Sequence, residues 1–217
     1  ENIGDAVYGL PEYFKEDIKK ARLIANPGCY PTASLLALLP FIDYIDTESP
    51  IFIDAKSGVS GAGKNPSETT HYCQINDNVH AYNPFKHRHM PEINEKVKII
   101  TGKDVSINFV PHLLPLTRGM LVSVFATLKD DIDVNEVLNN AYKDCEFIRL
   151  RNKPVDVKSV AGTNFCDLFT AKNGKALFVS SAIDNLLRGA SSQAVVNANI
   201  LCGYEEYEGI PKIAYVP

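Results

Sequence analysis

The apolar positions of this chain change period several times, and each change marks an element. Thr32 to Ile42 is apolar nearly all round, which predicts a buried helix rather than a surface one. Ile51 to Lys56 is β-branched and aromatic and predicts a strand. It runs into a glycine-rich loop, Ser57-Gly58-Val59-Ser60-Gly61-Ala62-Gly63-Lys64. Ile93, Val97 and Ile100 recur at helical spacing behind Pro91, which suits a first helical turn. Val105 to Val110 alternates as a strand, Pro111 to Thr117 reads as irregular, and Gly119 to Leu128 predicts a longer strand. Val134 to Lys143 predicts an amphipathic helix.

Four strand-like stretches follow: Phe147 to Leu150, Val155 to Val160, Asn164 to Ala171 and Ala176 to Ile183. Asn173-Gly174 supplies a hairpin turn between the last two. Asp184 to Cys202 predicts a long helix with Asp184 as N-cap and Gly203 as its stop. Near the start, Pro11 to Lys20 predicts a short helix and Ala21 to Ala25 a brief strand. The pattern is an α+β fold class, with a mixed or antiparallel sheet covered by helices. No internal repeat or linker interrupts it, so residues 1–217 are expected to form one domain.

Composition narrows the function classes. An apolar share of 45% with 22% charged residues suits a soluble globular protein. A net charge of −4 without a basic block argues against nucleic-acid binding. No apolar run approaches the roughly 20 residues of a membrane span. The start, Glu1-Asn2-Ile3-Gly4-Asp5, lacks the basic flank and apolar core of a signal peptide. The cysteines at 29, 73, 145, 166 and 202 are widely spaced and form no Cys-x-x-Cys pair, so neither a disulfide framework nor a zinc site is indicated. A reducing, cytoplasmic setting is the expectation.

Candidate chemistry concentrates in a few stretches. In Asn26-Pro27-Gly28-Cys29-Tyr30-Pro31-Thr32 a cysteine lies between a Pro-Gly turn and a helix expected to begin near Pro31. A thiol at a helix N-terminus is expected to have its pKa lowered by the macrodipole, although free cysteines are also often buried and inert. His87-Arg88-His89 groups titratable and cationic side chains. In an extended segment both histidines would face one side, suiting an anionic substrate with a proton-transfer step. A His-x-His pair also suits zinc, but no further ligand cluster stands out, so no metal is expected. The glycine-rich loop matches neither a Walker A nor a Gly-x-Gly-x-x-Gly motif; by spacing it is either a cradle for phosphate or cofactor, or a flexible turn. Arg118 could grip a carboxylate or phosphate, though spacing alone reads it as surface charge. The small polar run at Asn185, Arg188, Gly189, Ser191, Ser192 and Gln193 fits a ligand contact and a helix packing contact equally.

Taken together and in order, four stretches resemble the N-acetyl-gamma-glutamyl-phosphate reductases. They are the Cys29 stretch, Ser57 to Gly63, His87-Arg88-His89-Met90-Pro91-Glu92-Ile93 and Pro115-Leu116-Thr117-Arg118-Gly119-Met120. The closing Asp184-Asn185-Leu186-Leu187-Arg188-Gly189-Ala190 fits as well, so the resemblance covers essentially the whole chain. It implies a glyceraldehyde-3-phosphate-dehydrogenase-like C-terminal domain without the nucleotide-binding half, and hence a catalytic and dimerisation portion of a longer enzyme. Residues 184–203 are then expected to be a helix that packs on that other half.

The implied reaction is the NADP-dependent reduction of N-acetyl-glutamyl phosphate, in arginine biosynthesis, by a homo-oligomer. Cys29 is implied as nucleophile and His89 as acid/base group, with His87 binding substrate, or the two histidines exchanged. Glu92 is implied to orient a histidine or bind substrate, and Tyr82 and Arg118 to hold phosphate or carboxylate. Ser57, Gly58 and Asn185 are implied to meet the nicotinamide end of NADP. Lys64 departs from the arginine more usual in the family, which weakens a bidentate role there. Two alternatives stay open: a non-catalytic oligomerisation or binding module, and a reductase of the aminoadipyl or aspartyl phosphate analogue.

Overall fold

The structure, a computed structural model, describes residues 5–214. The Glu1-to-Gly4 part of the start read for a leader lies outside the described residues. β1 (Val7–Tyr8) pairs in parallel with β2 (Ile24–Ala25), and α1 (Pro11–Ile18) lies between them in sequence. The chain then enters α2 (Cys29–Leu38), which has no polar face because the helix is enclosed by the core from Tyr30 to Leu38. β3 (Ile51–Gly58) leads through 3-10 turns and the four-residue α3 (Tyr72–Ile75) to β4 (His80–Ala81). Then follow α4 (His89–Thr101), β5 (Ile107–Leu114), β6 (Met120–Thr127), α5 (Val134–Tyr142), β7 (Ile148–Leu150), β8 (Cys166–Asn173), β9 (Ala176–Ile183) and α6 (Ser191–Cys202).

Seven strands form one sheet in the order β4-β5-β3-β6-β9-β8-β7. The β3/β5 and β7/β8 pairs are parallel and the other neighbours antiparallel, so the sheet is mixed. On β3, β5 and β6 buried residues alternate with more exposed ones, giving one core face and one open face. α2, α4 and α5 share the main core with the buried face. Phe52 and Phe125 stand on the open face about half exposed, with Phe178 packed on Phe125. A smaller cluster, Ile18, Phe147, Val196, Ile200 and Ile210, joins α1 to α6.

Several expectations are corrected. Val155 to Val160 is turn rather than strand, because the Asp156 carboxylate accepts the Ser159 N–H and hydroxyl and winds the chain. Pro111 to Leu114 continues β5 instead of being irregular. The Pro111 carbonyl accepts the Tyr82 N–H, so the missing proline N–H falls on the side of the short strand β4. The last helix begins at Ser191, not after Asp184. Asp184 does cap a turn, through the N–H groups of Leu186 and Leu187, but residues 184–190 are turn and not helix. Among the described residues, no helix is long and apolar enough to cross a membrane.

Candidate active site

Gly28 is the extended N-cap of α2 and Cys29 its first residue, so the helix starts two residues before Pro31 and carries the thiol on its first turn. Thr32 closes that turn by donating its N–H and its hydroxyl to the Gly28 carbonyl. Glycine is required here for close approach. A Cβ on Gly28 would lie 2.6 Å from His89 Nε2, and one on Gly189 would lie 2.6 Å from Cys29 Cβ. The cysteine is therefore walled by the α4 N-terminus on one side and the turn before α6 on the other.

The expected lowering of the thiol pKa is overturned. Burial pushes the Cys29 thiol up, and this outweighs the opposing pull of the Tyr30 and Cys29 N–H groups and of Arg88. Glu92 adds a smaller upward push. A helix end stabilises an anion modestly, whereas desolvating a thiolate costs more. Cys29 rests as a thiol.

Arg88 is helical rather than extended, so the histidines meet through a turn and not through strand alternation. Their ring centroids are 4.9 Å apart. His87 is buried among the rings of Tyr30, Tyr82 and Phe109, and its Nδ1 accepts the His89 N–H at 3.2 Å. His89 is half-buried with Nδ1 unpartnered and Nε2 against Gly28. Burial lowers both imidazoles to about 4, helped by Arg88 and, for His87, by His89. Both rings are neutral near pH 7, the form that accepts a proton. The geometry separates their positions: His89 stands beside the Gly28-Cys29 turn, and His87 is enclosed behind it.

Tyr82 donates to Tyr30 Oη at 3.0 Å and so lines the same wall. Glu92 is not bonded to either imidazole; its Oε1 accepts the Gly28 N–H at 3.2 Å and the Tyr8 hydroxyl at 2.7 Å. Across from them, Arg118 Nη1 donates to Asp184 Oδ2 at 3.2 Å, and Asp184 also accepts the Gly162 N–H. Gly58 presses on the Leu116 carbonyl, and a Cβ on Gly61 would meet Ser57 Oγ at 2.9 Å. Asn185 is buried, accepting the Gly119 N–H at 2.8 Å and donating to Ser60 Oγ at 3.0 Å.

Ser57, Gly58, Arg118 and Asn185 thus gather at the C-terminal end of β3, and Tyr30, next to Cys29, lies within reach of Ser57. The sequence missed Asp184 as the anchor of Arg118, Gly189 as the back wall, and Tyr8 as the partner of Glu92. Asp184 carried an N-cap signal and Gly189 stood in the small polar run; Tyr8 carried none. A groove of about 630 Å³ bordered by Asp131, Val134, Thr170 and Lys172 lies away from Cys29. Among the described residues no cluster of three or more His, Cys, Asp or Glu is placed to hold a metal ion.

The family model "semialdehyde dehydrogenase, dimerisation domain" matches residues 29–185. The chain belongs to that family. Its matched segment opens on Cys29 and closes on Asn185, the outer members of the cluster just described. This semialdehyde dehydrogenase domain is 64% identical over its whole length to the N-acetyl-gamma-glutamyl-phosphate reductase of Sulfurovum sp., covering 65% of that protein. To the reductase of Wolinella succinogenes it is 58% identical, covering 64%. The chain thus spans about 65% of the length of these curated relatives. Among solved structures it is similar to the aspartate semialdehyde dehydrogenase II of Vibrio cholerae, with TM-score 0.72 and 20% identity, over 93% of this chain and 69% of that one. A probable aspartate-semialdehyde dehydrogenase of Pseudomonas aeruginosa gives TM-score 0.72 at 15% identity, over 93% and 70%. The expected fold, related to the C-terminal domain of glyceraldehyde-3-phosphate dehydrogenase, holds.

Proposed function

We propose that this chain is the catalytic portion of a longer cytoplasmic enzyme that reduces N-acetyl-glutamyl 5-phosphate to the semialdehyde with NADPH, releasing phosphate in arginine biosynthesis. The observation that carries the reading is His89 Nε2 lodged against the Gly28 turn that presents Cys29. A neutral imidazole at that place can relieve a thiol of its proton, which matters because Cys29 rests protonated. The Cys29 sulfur then bonds the acyl carbon, the carbon–oxygen bond to phosphate breaks, and a thioester remains. NADPH, when bound, supplies the hydride for that thioester carbonyl. The oxygen of the reduced carbon then reforms its carbonyl as the carbon–sulfur bond breaks. His89, protonated in the first step, returns its proton to the departing Cys29 sulfur, so the aldehyde leaves and the thiol and neutral imidazole are restored. Arg118, held by Asp184, presents its remaining guanidinium edge to the phosphate or carboxylate.

Ser57, Gly58 and Asn185 are the residues that would meet the nicotinamide end of the cofactor. They lie together at the C-terminal end of β3, where Gly58 packs on the Leu116 carbonyl and Asn185 holds the Gly119 N–H and Ser60 Oγ. No glycine-rich strand-turn-helix in this sequence fits the pyrophosphate. The exposed turn of α6, with Val195 and Leu201, would pack on the segment that does. The open sheet face with Phe52 and Phe125 is the surface through which a second copy would pair, in keeping with a dimerisation domain.

The full-length protein should oxidise NADPH only with the acyl phosphate present, and Cys29→Ser should abolish both phosphate release and thioester formation. Retained turnover in Cys29→Ser would overturn the assignment. Turnover of the aminoadipyl phosphate in preference would reassign the substrate.

A further inference from the structure

Glu92 has a different neighbour from any that the histidine-rich stretch suggests. Its Oε1 lies 3.2 Å from the Gly28 nitrogen and 2.7 Å from the Tyr8 hydroxyl. Gly28 is the N-cap of the helix whose first residue is Cys29. Glu92 and His89 are three apart on α4, so they share one face of that helix. Gly28 is held on both counts: its N–H points to Glu92, and a Cβ on it would lie 2.6 Å from His89 Nε2. Three elements therefore meet at one carboxylate: β1 through Tyr8, the turn before α2 through Gly28, and α4 itself.

We propose that Glu92 is a positioning residue that sets the register between Cys29 and His89, and that Tyr8 holds its carboxylate in place. The inference rests on the cysteine mechanism proposed above. An N-cap glycine has no side chain to satisfy the first N–H groups of its own turn and no Cβ to restrict its backbone, so the turn needs an outside anchor. Glu92 provides one from the same helix that carries the acid/base candidate, and movement of α4 carries base and nucleophile together. The Tyr8 hydroxyl fixes the carboxylate rotamer, which otherwise is free to turn toward solvent. The arrangement has an electrostatic consequence. A carboxylate near the thiol opposes thiolate formation, as its upward push on Cys29 indicates, so geometry is maintained against charge. The role differs from substrate binding, in which Glu92 would face the ligand and its loss would weaken binding.

The test uses the full-length protein carrying Glu92→Ala, Glu92→Gln and Tyr8→Phe. Misplacing a nucleophile by about 1 Å can cost ~100-fold in rate, so Glu92→Ala is expected to lower kcat by ~10- to 100-fold with KM changed less than about threefold. Glu92→Gln keeps an acceptor for both donors and is expected to recover most of that loss. Tyr8→Phe is expected to lose a few-fold in kcat. Independently of turnover, the pH profile of iodoacetamide reaction at Cys29 should move to lower pH in Glu92→Gln, because a nearby negative charge is gone. That alkylation arm stands even if Cys29→Ser proves active, so failure of the mechanism and failure of the positioning role are distinguishable. Loss expressed in KM alone, an alkylation profile unmoved in Glu92→Gln, or equal loss in Glu92→Gln and Glu92→Ala would each overturn the proposal. If Glu92→Ala does not fold, the other two variants still decide it.

Discussion

At the scale of single residues, two glycines do more for the site than the charged groups the sequence advertises. Gly189 leaves no room for a methyl group, which would lie 2.6 Å from Cys29 Cβ and 2.6 Å from the Asn185 carbonyl. Gly189→Ala is expected to displace Cys29, the proposed nucleophile, and reduce kcat in the full-length protein by about tenfold or more, as small misplacements do. Steady-state kinetics beside a thermal melt would check it; unchanged kcat would show that the turn yields freely. The same residue-scale view explains the thiol. At pH 7.5 iodoacetamide should modify Cys29 more slowly than a model thiol of ordinary pKa, because burial raises the pKa and shrinks the thiolate fraction. Faster modification than the model thiol would restore the helix-end activation that the sequence suggests.

Among the elements, the turn between β9 and α6 draws four donors onto one buried side chain. Asp184 is wholly buried and receives the N–H groups of Gly162, Leu186 and Leu187 together with Arg118 Nη1. Asp184→Ala leaves several donors without partners and is expected to cost about 3 kcal/mol or more, since each stranded buried group carries a penalty of about 1–3 kcal/mol. Asp133, the N-cap of α5, accepts two N–H groups at a site far from Cys29. Asp133→Ala should cost about 1 kcal/mol and leave kcat alone. Denaturant midpoints for the two variants, set against kcat, would separate scaffold from site; equal stability losses would refute the special weight given to Asp184. Regular periodicity made β3, β6, β9 and α5 legible to within a residue or two. The 184–190 turn was not legible, because apolar spacing there continues the helical pattern while a capping carboxylate and Gly189 redirect the backbone.

Over the whole molecule, the two neutral histidines link the site to stability. Each titrates at about 4 in the fold against an ordinary 6.5. Between those values the unfolded chain binds more protons, so the stability they contribute is complete above pH 6.5 and is lost as pH falls toward 4. Urea midpoints should fall across that window. His87→Asn should flatten the fall, and a pH-independent midpoint in the unaltered protein would contradict it. The open sheet face belongs to the same scale. Phe125→Lys is expected to weaken self-association, read by sedimentation, with little effect on the buried core, since Phe125 points away from it.

Sequence by itself determined the element types wherever one face had to be buried, because a period of two or of about 3.6 follows from that requirement alone. It also pointed to the residue types proposed to carry the chemistry, since a Pro-Gly-Cys turn before an apolar helix and a His-x-His before another are local patterns. Tertiary structure decided the rest. It decided which histidine stands beside the Gly28-Cys29 turn, that burial outweighs the helix end at Cys29, and that Glu92 bonds the Gly28 turn instead of an imidazole. It also decided that Arg118 is anchored by Asp184. Each of these depends on distances between residues about 60 or more apart in sequence, and on desolvation, which no local pattern encodes.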